Sequence, residues 1–324
     1  MRVGITGVGA YLPDREMTTD ALQAGLGGPR LPRGLFTRLT GIDRRRVAAP
    51  DEYASTLGRH AARAALGDAG LDPLDVDLLL FASASRDMVE PATAHILQAE
   101  LGSRAHALDV TNACNSFVNG IDLARSMILA GRARRALVVT GETPTRVMRP
   151  SLTDRRAFAG FTFGDAGAAV VVEPVATGGI LDVDTETHSE HWEVGGIPGG
   201  GSRHPRGDEY TYFTGDGHRL KTVFEKIGPS ILDRVLSRCS MEFRDFSFIL
   251  VHQVTYPYLE QFLEITGIPR DRIVVTVGEF GNTASATLGI QLARIRPRLN
   301  PGDRVLLMGL GGGVSIMTMV LEQP

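Results

Sequence analysis

The sequence predicts an α/β fold made of two similar halves, and three observations support this prediction. Apolar runs bounded by turn residues alternate with helix-like stretches along the chain. Such alternation favours a mostly parallel sheet covered by helices. The two parts of the chain also match each other at one fixed offset. A length of 324 residues is enough for two domains of about 150–160 residues each.

The elements of each half follow from the positions of these apolar runs. Residues 1–7 predict a first strand, residues 77–82 and 136–140 predict buried strands, and residues 117–129 predict the helix between them. The second half has three predicted strands and two predicted helices: 248–251, 273–277 and 305–309 for the strands, and 256–266 and 285–295 for the helices.

The repeat emerges at an offset of 169 residues, the spacing from Gly120 to Gly289. Three elements match at this offset: the helix segments 120–125 and 289–294, the strands 78–82 and 247–251, and the strands 136–139 and 305–308. Agreement of three elements predicts a duplication, with a join at 173–179. We therefore predict an N-terminal half, 1–173, that carries a nucleophilic cysteine, and a C-terminal half, 174–324, that carries a histidine and an asparagine.

Composition and charge exclude several classes of function. The net charge is −3 and 43% of the residues are hydrophobic, so neither nucleic acid nor a membrane is expected as the partner. No apolar run reaches the roughly 18–20 residues that span a bilayer, and no signal peptide is predicted. Two cysteines cannot build a disulfide framework or a four-cysteine zinc site, which favours the cytoplasm. The short basic cluster Arg44-Arg45-Arg46 is expected to be able to face an acidic partner.

Cys114 is the candidate nucleophile. It lies between a predicted strand and an amphipathic helix, where the helix dipole and free N–H groups are expected to lower the pKa of the thiol. A thiolate there can hold an acyl group as a thioester. The alternative is a small buried apolar residue, which is the interpretation that we give to Cys239.

His252 and Asn282 are candidate partners of Cys114, since the repeat places the ends of their strands at the same join. Individually, His252 could be structural and Asn282 could be a helix N-cap. Together, their side-chain N–H groups can bind a developing oxyanion, which enolate chemistry on a thioester requires. The glycine run Gly311-Gly312-Gly313 lets backbone N–H groups approach a ligand, so Gly312 is a candidate oxyanion donor. Papain-type hydrolases have the same Cys, His, Asn order, but their signature around the cysteine is absent.

The sequence resembles the β-ketoacyl-ACP synthase III group of the thiolase superfamily over nearly its whole length. The resemblance depends on five motifs in family order: Asn-Ala-Cys114, Phe-Gly-Asp165-Ala-Gly, Val-His252-Gln, Gly-Asn282-Thr and Gly311-Gly312-Gly313. It implies a five-layered αβαβα fold from duplicated halves, a homodimer, and an acyl group carried on Cys114. His252 and Asn282 would then stabilise the enolate of a second thioester, while the N–H groups of Cys114 and Gly312 form the oxyanion hole. The substrates would be acyl-CoA or acyl-carrier protein, with no cofactor and no metal.

Two positions depart from the family pattern. Leu35 and Leu39 occupy the places of a tryptophan and an arginine that grip CoA in members that prime fatty acid synthesis, which favours a carrier-protein donor or a specialised pathway. Glu90 replaces an aromatic residue that projects into the partner's acyl tunnel. The head-to-head acyl-CoA condensing enzymes of olefin biosynthesis have a glutamate there that acts as a base. The alternative for Glu90 is an acid that only favours a helix start.

The Gly-, His- and Arg-rich stretch from His188 to Phe213 is a long loop candidate. In the family such a segment borders the acyl tunnel, so we predict a substrate lid here. Phe213, Trp192 and Arg155 are the candidate tunnel or lid residues, and a metal site at His188 and His191 is disfavoured.

The predicted function is condensation of acyl thioesters. An acyl group is loaded on Cys114 and then joined to a malonyl-type thioester with loss of CO2, as in fatty acid or polyketide biosynthesis. The alternatives are a non-decarboxylative head-to-head condensation with Glu90 as base, acyl transfer to an alcohol or amine, and a silent partner subunit of a heterodimer.

Overall fold

The structure, a computed structural model, describes residues 1–25, 32–149, 151 and 155–324, without the side chains of residues 155 and 159. The strands are β1 (Arg2–Tyr11), β2 (Glu16–Thr18), β3 (Arg44–Arg46), β4 (Leu78–Ala82), β5 (His106–Val110), β6 (Ala136–Glu142), β7 (Ala166–Val175), β8 (Gly179–Thr187), β9 (Gly195–Gly196), β10 (Thr214–Gly215), β11 (Phe248–Val251), β12 (Arg304–Gly311) and β13 (Ser315–Glu322). The α-helices are α1 (Thr19–Ala24), α2 (Leu35–Thr40), α3 (Ala54–Ala69), α4 (Thr93–Leu101), α5 (Ser116–Leu129), α6 (Gly217–Cys239), α7 (Tyr256–Thr266), α8 (Val277–Phe280) and α9 (Ala286–Ile295).

The two main sheets share one strand order. The first sheet runs β1-β7-β6-β4-β5, and the second, read in the same direction, runs β8-β13-β12-β11. In each sheet the strands that alternate with helices are parallel, and the two strands at the opposite edge are antiparallel. Where the first sheet has β5, the second has a single parallel bridge from Ile249 to Ile273.

The helices complete five layers. Helices α3 and α4 cover the outer face of the first sheet, α5 and α9 lie between the sheets, and α6 and α7 cover the outer face of the second. Strand β4 shows why its sequence is apolar throughout. Leu78 and Leu80 point into the central cluster, whereas Leu79 and Phe81 point towards α3 and α4, since successive side chains of a strand face opposite sides. The predicted αβαβα architecture is confirmed.

The predicted strand 273–277 is wrong. Residue 273 makes only the single bridge, and α8 begins at Val277. The side chain of Gln253 binds the N–H groups of Thr276 and Val277, so these donors cannot form a ladder with a neighbouring strand. The apolar, β-branched residues 273–277 therefore lead into the start of α8, whose first N–H groups are bound by the Gln253 side chain.

The offset of 169 residues holds for some elements and slips by one residue at others. Leu78 pairs with Ala136, and Phe248 pairs with Val305. The strands β6 and β12 thus keep the offset, but Phe248, not the adjacent Ser247, takes the place of Leu78.

Candidate active site

Cys114 lies on a tight backbone elbow between β5 and α5. The preceding residue, Ala113, has a φ of +48°, a left-handed conformation that costs a non-glycine residue free energy and often marks functional sites. The elbow is held by Ser116, whose hydroxyl donates to the Ala113 carbonyl at 2.7 Å and accepts from the Asn112 N–H at 2.8 Å. Local hydrogen bonds therefore fix the position of the cysteine.

The thiol of Cys114 contacts the candidate oxyanion donors. The N–H groups of Cys114 itself and of Gly312 both lie against the sulfur and lower its pKa. Although the residue keeps part of its surface exposed, burial of the sulfur and then the charge of Glu142 raise the pKa of the Cys114 thiol to about 12. The expected lowering of this pKa is therefore wrong, because desolvation of the charged form outweighs the nearby N–H groups. At neutral pH the resting group is a thiol.

Glu142 is a site residue that the sequence reasoning missed. Its carboxylate is fully buried at the end of β6 and accepts hydrogen bonds from the N–H groups of Ala84 at 2.8 Å and Ser85 at 3.0 Å. Serine hydroxyls from both halves also donate to it, Ser83 and Ser85 from the first and Ser285 from the second. The sequence feature that could have revealed it is a glutamate at the last position of a strand whose other residues are all uncharged and buried.

His252 follows β11 and is 4% exposed. Its N–H donates to the Met308 carbonyl at 2.9 Å, which continues the ladder between β11 and β12. Burial lowers the pKa of the imidazole to about 4, so the ring is neutral at pH 7. Its Nδ1 atom is buried and has no hydrogen-bond partner within the part of the chain that the structure describes. Such an atom is able to bond a ligand or a water molecule.

Asn282 is held by the backbone of the first half. Its N–H donates to the Thr162 carbonyl at 2.7 Å, and its own carbonyl accepts from the Gly164 N–H at 3.1 Å. The side-chain Oδ1 accepts from the N–H of Ala284 at 3.0 Å. This contact orients the amide and leaves Nδ2 as the group that can donate to a ligand.

Gln253 ties the segment of His252 to the segment that leads to Asn282. Its Nε2 donates to the Val274 carbonyl at 2.8 Å, and its Oε1 accepts from the N–H groups of Thr276 at 2.9 Å and Val277 at 3.0 Å. The side chain is 1% exposed. It therefore fixes two loops that a strand ladder does not connect.

The two halves meet at these residues. Cys114 of the first half touches Gly312 of the second, and Asn282 of the second half is bonded to Thr162 and Gly164 of the first. His252 extends from β11, which lies beside the strand that leads to Gly312. The structure therefore places the predicted trio and Gly312 around the join of the halves, and their catalytic roles stay a prediction.

The remaining predicted residues lie in different surroundings. Phe213 packs edge-on against Phe163 with ring centroids 5.1 Å apart, and Phe163 lies within the segment 162–164 that binds Asn282. Trp192 is 50% exposed under the guanidinium of Arg203. The side chain of Arg155 lies outside the described residues. Glu90 is exposed on the loop before α4.

Among the described residues, no group of three His, Cys, Asp or Glu side chains is placed to hold a metal ion. His188 binds Glu186 at 2.8 Å and Glu190 at 3.2 Å, and these carboxylates raise the pKa of its imidazole. Within the same described part, none of the helices is both long and apolar enough to cross a membrane.

Comparisons with known proteins match most of the chain. Residues 108–189 match the family model for 3-oxoacyl-[acyl-carrier-protein (ACP)] synthase III, and residues 236–323 match the model for its C-terminal part. The chain is 32% identical to β-ketoacyl-[acyl-carrier-protein] synthase III of Roseobacter denitrificans, with 99% of each chain covered. It is 34% identical to the enzyme of the same name from Dinoroseobacter shibae, again over 99% of both.

Solved structures agree with this match. The 3-oxoacyl-(acyl carrier protein) synthase III of Pseudomonas aeruginosa superposes with a TM-score of 0.87 at 28% identity, over 100% of this chain and 99% of that one. Xanthomonas campestris OleA, solved with bound lauric acid and lauroyl-CoA, superposes with a TM-score of 0.87 at 25% identity, over 99% of both chains.

Proposed function

The chain belongs to the 3-oxoacyl-[acyl-carrier-protein] synthase III family, and from this membership we infer that it joins an acyl group to a malonyl-type thioester with loss of CO2. It is an acyltransferase-type condensing enzyme. The observation that carries the residue assignment is the contact of the Cys114 thiol with the Gly312 N–H across the join of the halves. We also propose that the enzyme works as a homodimer.

The first half-reaction loads Cys114. Its sulfur forms a bond to the carbonyl carbon of the acyl donor, the bond from that carbon to the donor sulfur breaks, and the proton of the thiol ends on the departing thiol. Because the resting Cys114 is protonated, this proton moves as the new bond forms. The N–H groups of Cys114 and Gly312 would hold the negative charge of the carbonyl oxygen in the tetrahedral intermediate.

The second half-reaction forms the carbon–carbon bond. Loss of CO2 from the malonyl-type thioester leaves an electron pair that is delocalised onto the thioester oxygen as an enolate. A neutral imidazole at His252 and the Nδ2 of Asn282 each have an N–H to donate to that oxygen. The enolate carbon then attacks the acyl carbon, the bond to Cys114 breaks, and the thiolate takes up a proton. The product is a 3-oxoacyl thioester.

The decisive experiment is intact-mass analysis after incubation with an acyl donor. The wild-type protein should gain one acyl mass, Cys114→Ala should not, and the matched control Cys239→Ala should still do so. Addition of malonyl-carrier protein should then remove the adduct and release CO2. No adduct with any acyl thioester would reject the proposed function.

A non-decarboxylative condensation of two acyl chains is the second candidate, and the apolar residues beside Glu90 favour it. Met88 and Val89 beside it are 46% and 67% exposed, as expected of a segment that contacts a partner subunit. Glu90→Gln separates the candidates. An unchanged malonyl-dependent rate removes any role for Glu90, whereas loss of a CO2-free condensation of two acyl-CoA molecules would establish one.

We propose a carrier protein as the acyl donor. Leu35 and Leu39 lie on α2, and Leu39 is 51% exposed, so neither offers a group that grips a charged nucleotide. The rates of Cys114 acylation by acyl-CoA and by acyl-carrier protein with the same acyl chain should differ in favour of the carrier protein. Equal rates would contradict this choice.

A further inference from the structure

Arg45 is a fully buried cation whose described partners are all neutral. The sequence groups it with Arg44 and Arg46 as a basic face, but Arg45 is 0% exposed, so that expectation is wrong for it. Among the described residues no carboxylate lies within ion-pair distance of its guanidinium. Burial lowers its pKa to about 10, which still leaves it charged at pH 7. A buried charge costs several kcal/mol, so the contacts that it makes in return indicate its role.

The guanidinium donates to the backbone beside Asn282. Nη1 donates to the carbonyls of Phe161 at 2.6 Å and Phe163 at 3.0 Å. Between them lies Thr162, whose carbonyl accepts the Asn282 N–H at 2.7 Å, and after them lies Gly164, whose N–H binds the Asn282 carbonyl at 3.1 Å. One side chain therefore anchors both sides of the segment that holds Asn282.

The other end of the guanidinium is anchored as well. Nη2 donates to the Thr19 hydroxyl at 2.7 Å, and that hydroxyl donates to the Ile42 carbonyl at 2.6 Å. The ring of Phe161 is stacked on that of Phe36 at 4.1 Å. The segment cannot shift without disturbing these contacts.

The packing between Arg45 and Asn282 has little free space. A Cβ on Gly164 would lie 2.0 Å from the Phe280 carbonyl oxygen and 3.1 Å from the Cβ of Arg45. A Cβ on Gly281 would lie 2.5 Å from the Thr162 carbonyl oxygen. Because well-packed interiors transmit displacement, a shift of residues 161–164 moves the backbone of Asn282.

We propose that Arg45 is a positioning residue for Asn282 and thereby serves the carbon–carbon bond-forming half-reaction alone. The inference rests on the proposed function. Acylation of Cys114 uses the N–H groups of Cys114 and Gly312, and neither is among the groups that Arg45 binds. Loss of the Arg45 geometry should therefore spare the first half-reaction and slow the second.

The test compares Arg45→Lys with the matched control Arg44→Lys, whose side chain is 51% exposed on the same strand. Lysine keeps the charge but cannot reproduce the fork of the guanidinium. Single-turnover acylation of Cys114 is followed by intact mass, and decarboxylation by CO2 release from the preformed acyl-enzyme. Arg45→Lys should acylate within about twofold of wild type and should lose about tenfold or more in decarboxylation, as expected when a donor of this kind is misplaced. Arg44→Lys should change neither rate.

A double-mutant cycle with Asn282→Ala tests whether Arg45 affects decarboxylation through Asn282. If Arg45 acts through Asn282, Arg45→Lys should cause little further loss of decarboxylation in the Asn282→Ala background. Equal loss of both half-reactions, unchanged decarboxylation, or fully additive losses would overturn the proposal. If Arg45→Lys does not fold, Thr19→Val serves in its place, since it removes the anchor of Nη2 and should cause a smaller loss in the same step. A wild-type protein that is acylated but never releases CO2 would instead reject the proposed function.

Discussion

Burial keeps both Cys114 and His252 uncharged in the resting protein. The thiol, with a pKa of about 12, and the imidazole, with a pKa of about 4, are both neutral at pH 7. A proton transfer from cysteine to histidine is therefore unfavourable before substrate binds. A neutral thiol is a poorer target for oxidation than a thiolate, and a neutral imidazole keeps one N–H that can donate to a ligand.

After burial, the charge of Glu142 is the second cause of the raised pKa of Cys114, so its removal should shift the pH dependence of Cys114 alkylation. Glu142→Gln removes a negative charge that opposes the thiolate, so the pKa of Cys114 should fall and the alkylation curve should move to lower pH. A thiol pKa lower by about one gives about ten times more thiolate at any pH well below it. The measurement is the rate of iodoacetamide labelling against pH in a Cys239→Ala background, so that only one thiol reports.

Ser285→Ala is the matched control for this prediction. It removes one hydrogen bond to the Glu142 carboxylate but keeps the charge, so the alkylation curve should move far less than in Glu142→Gln. Equal displacement of the curve in the two variants would mean that the hydrogen-bond network, and not the charge, sets the pKa of Cys114.

The sequence indicated Cys114, His252 and Asn282 as candidates but gave no reason to add Glu142 or Arg45 to them. Cys114, His252 and Asn282 each follow or precede a recognisable apolar element, and short motifs surround them. The partners of Arg45 at Phe161 and Phe163 are backbone carbonyls more than one hundred positions away. Such contacts leave no local pattern, because any residue supplies a carbonyl.

At the scale of elements, the side chain of Gln253 makes the backbone hydrogen bonds that a strand pairing would otherwise make near the site. Gln253 should contribute strongly to stability for this reason. Gln253→Ala leaves two buried N–H groups and one carbonyl without their partner, so the free energy of unfolding should fall by about 2–4 kcal/mol. Chemical denaturation measures the change. Gln261→Ala, at an exposed position on α7, should stay within about 0.5 kcal/mol of wild type, and a similar loss there would contradict this argument.

Gly281→Ala should destabilise the protein and slow decarboxylation. Gly281 has a φ of +70° and a ψ of −163°, and its Cβ would meet the Thr162 carbonyl oxygen at 2.5 Å. This backbone region is essentially restricted to glycine and costs alanine about 1–3 kcal/mol, and the overlap adds about 1–3 kcal/mol. Because Asn282 is the next residue, release of CO2 from the acyl-enzyme should slow as well.

Gly267 is the control with a milder backbone and no close contact. Its φ is also +70°, but its ψ of 14° places it in the left-handed helical region, and no atom lies within 4 Å of an added Cβ. Gly267→Ala should therefore lose only about 1 kcal/mol and should keep the wild-type decarboxylation rate. If both variants unfold at the same denaturant concentration, the close approach at Gly281 does not contribute.

The sequence predicted two elements of the second half without error, a buried strand and an amphipathic helix. The predicted strand 248–251 and helix 256–266 match β11 and α7 residue for residue. Their patterns are complete within one short segment. The error at 273–277 arose because the competing contact comes from the side chain of Gln253, 23 residues before Thr276, and the apolar pattern of the segment gives no sign of it.

At the scale of the whole molecule, each half donates a side-chain hydrogen bond from the start of its central helix to the other half. Asn115, at the start of α5, donates through Nδ2 to the hydroxyl of Ser315 at 2.8 Å in the second sheet. Ser285, at the start of α9, donates to Glu142 in the first sheet. Helices of matching position thus each reach into the opposite half. The sequence offset indicated which segments correspond, but which side chains cross the join depends on the packing of α5 against α9 and could not be predicted.

This exchange predicts that neither half is stable alone. The central apolar cluster contains residues of both halves, among them Leu80, Phe117, Leu288 and Leu307, so a separated half would expose the inner face of its sheet and one side of its central helix. A chain broken in the turn at 176–178, between β7 and β8, should give two fragments that each lack a cooperative unfolding transition in denaturant. Co-expression of the two fragments should restore a single transition and acylation of Cys114, because the cluster re-forms without a covalent link. A cooperative transition in either isolated fragment would show instead that each sheet with its outer helices is stable on its own, and that the shared cluster serves only to assemble the site.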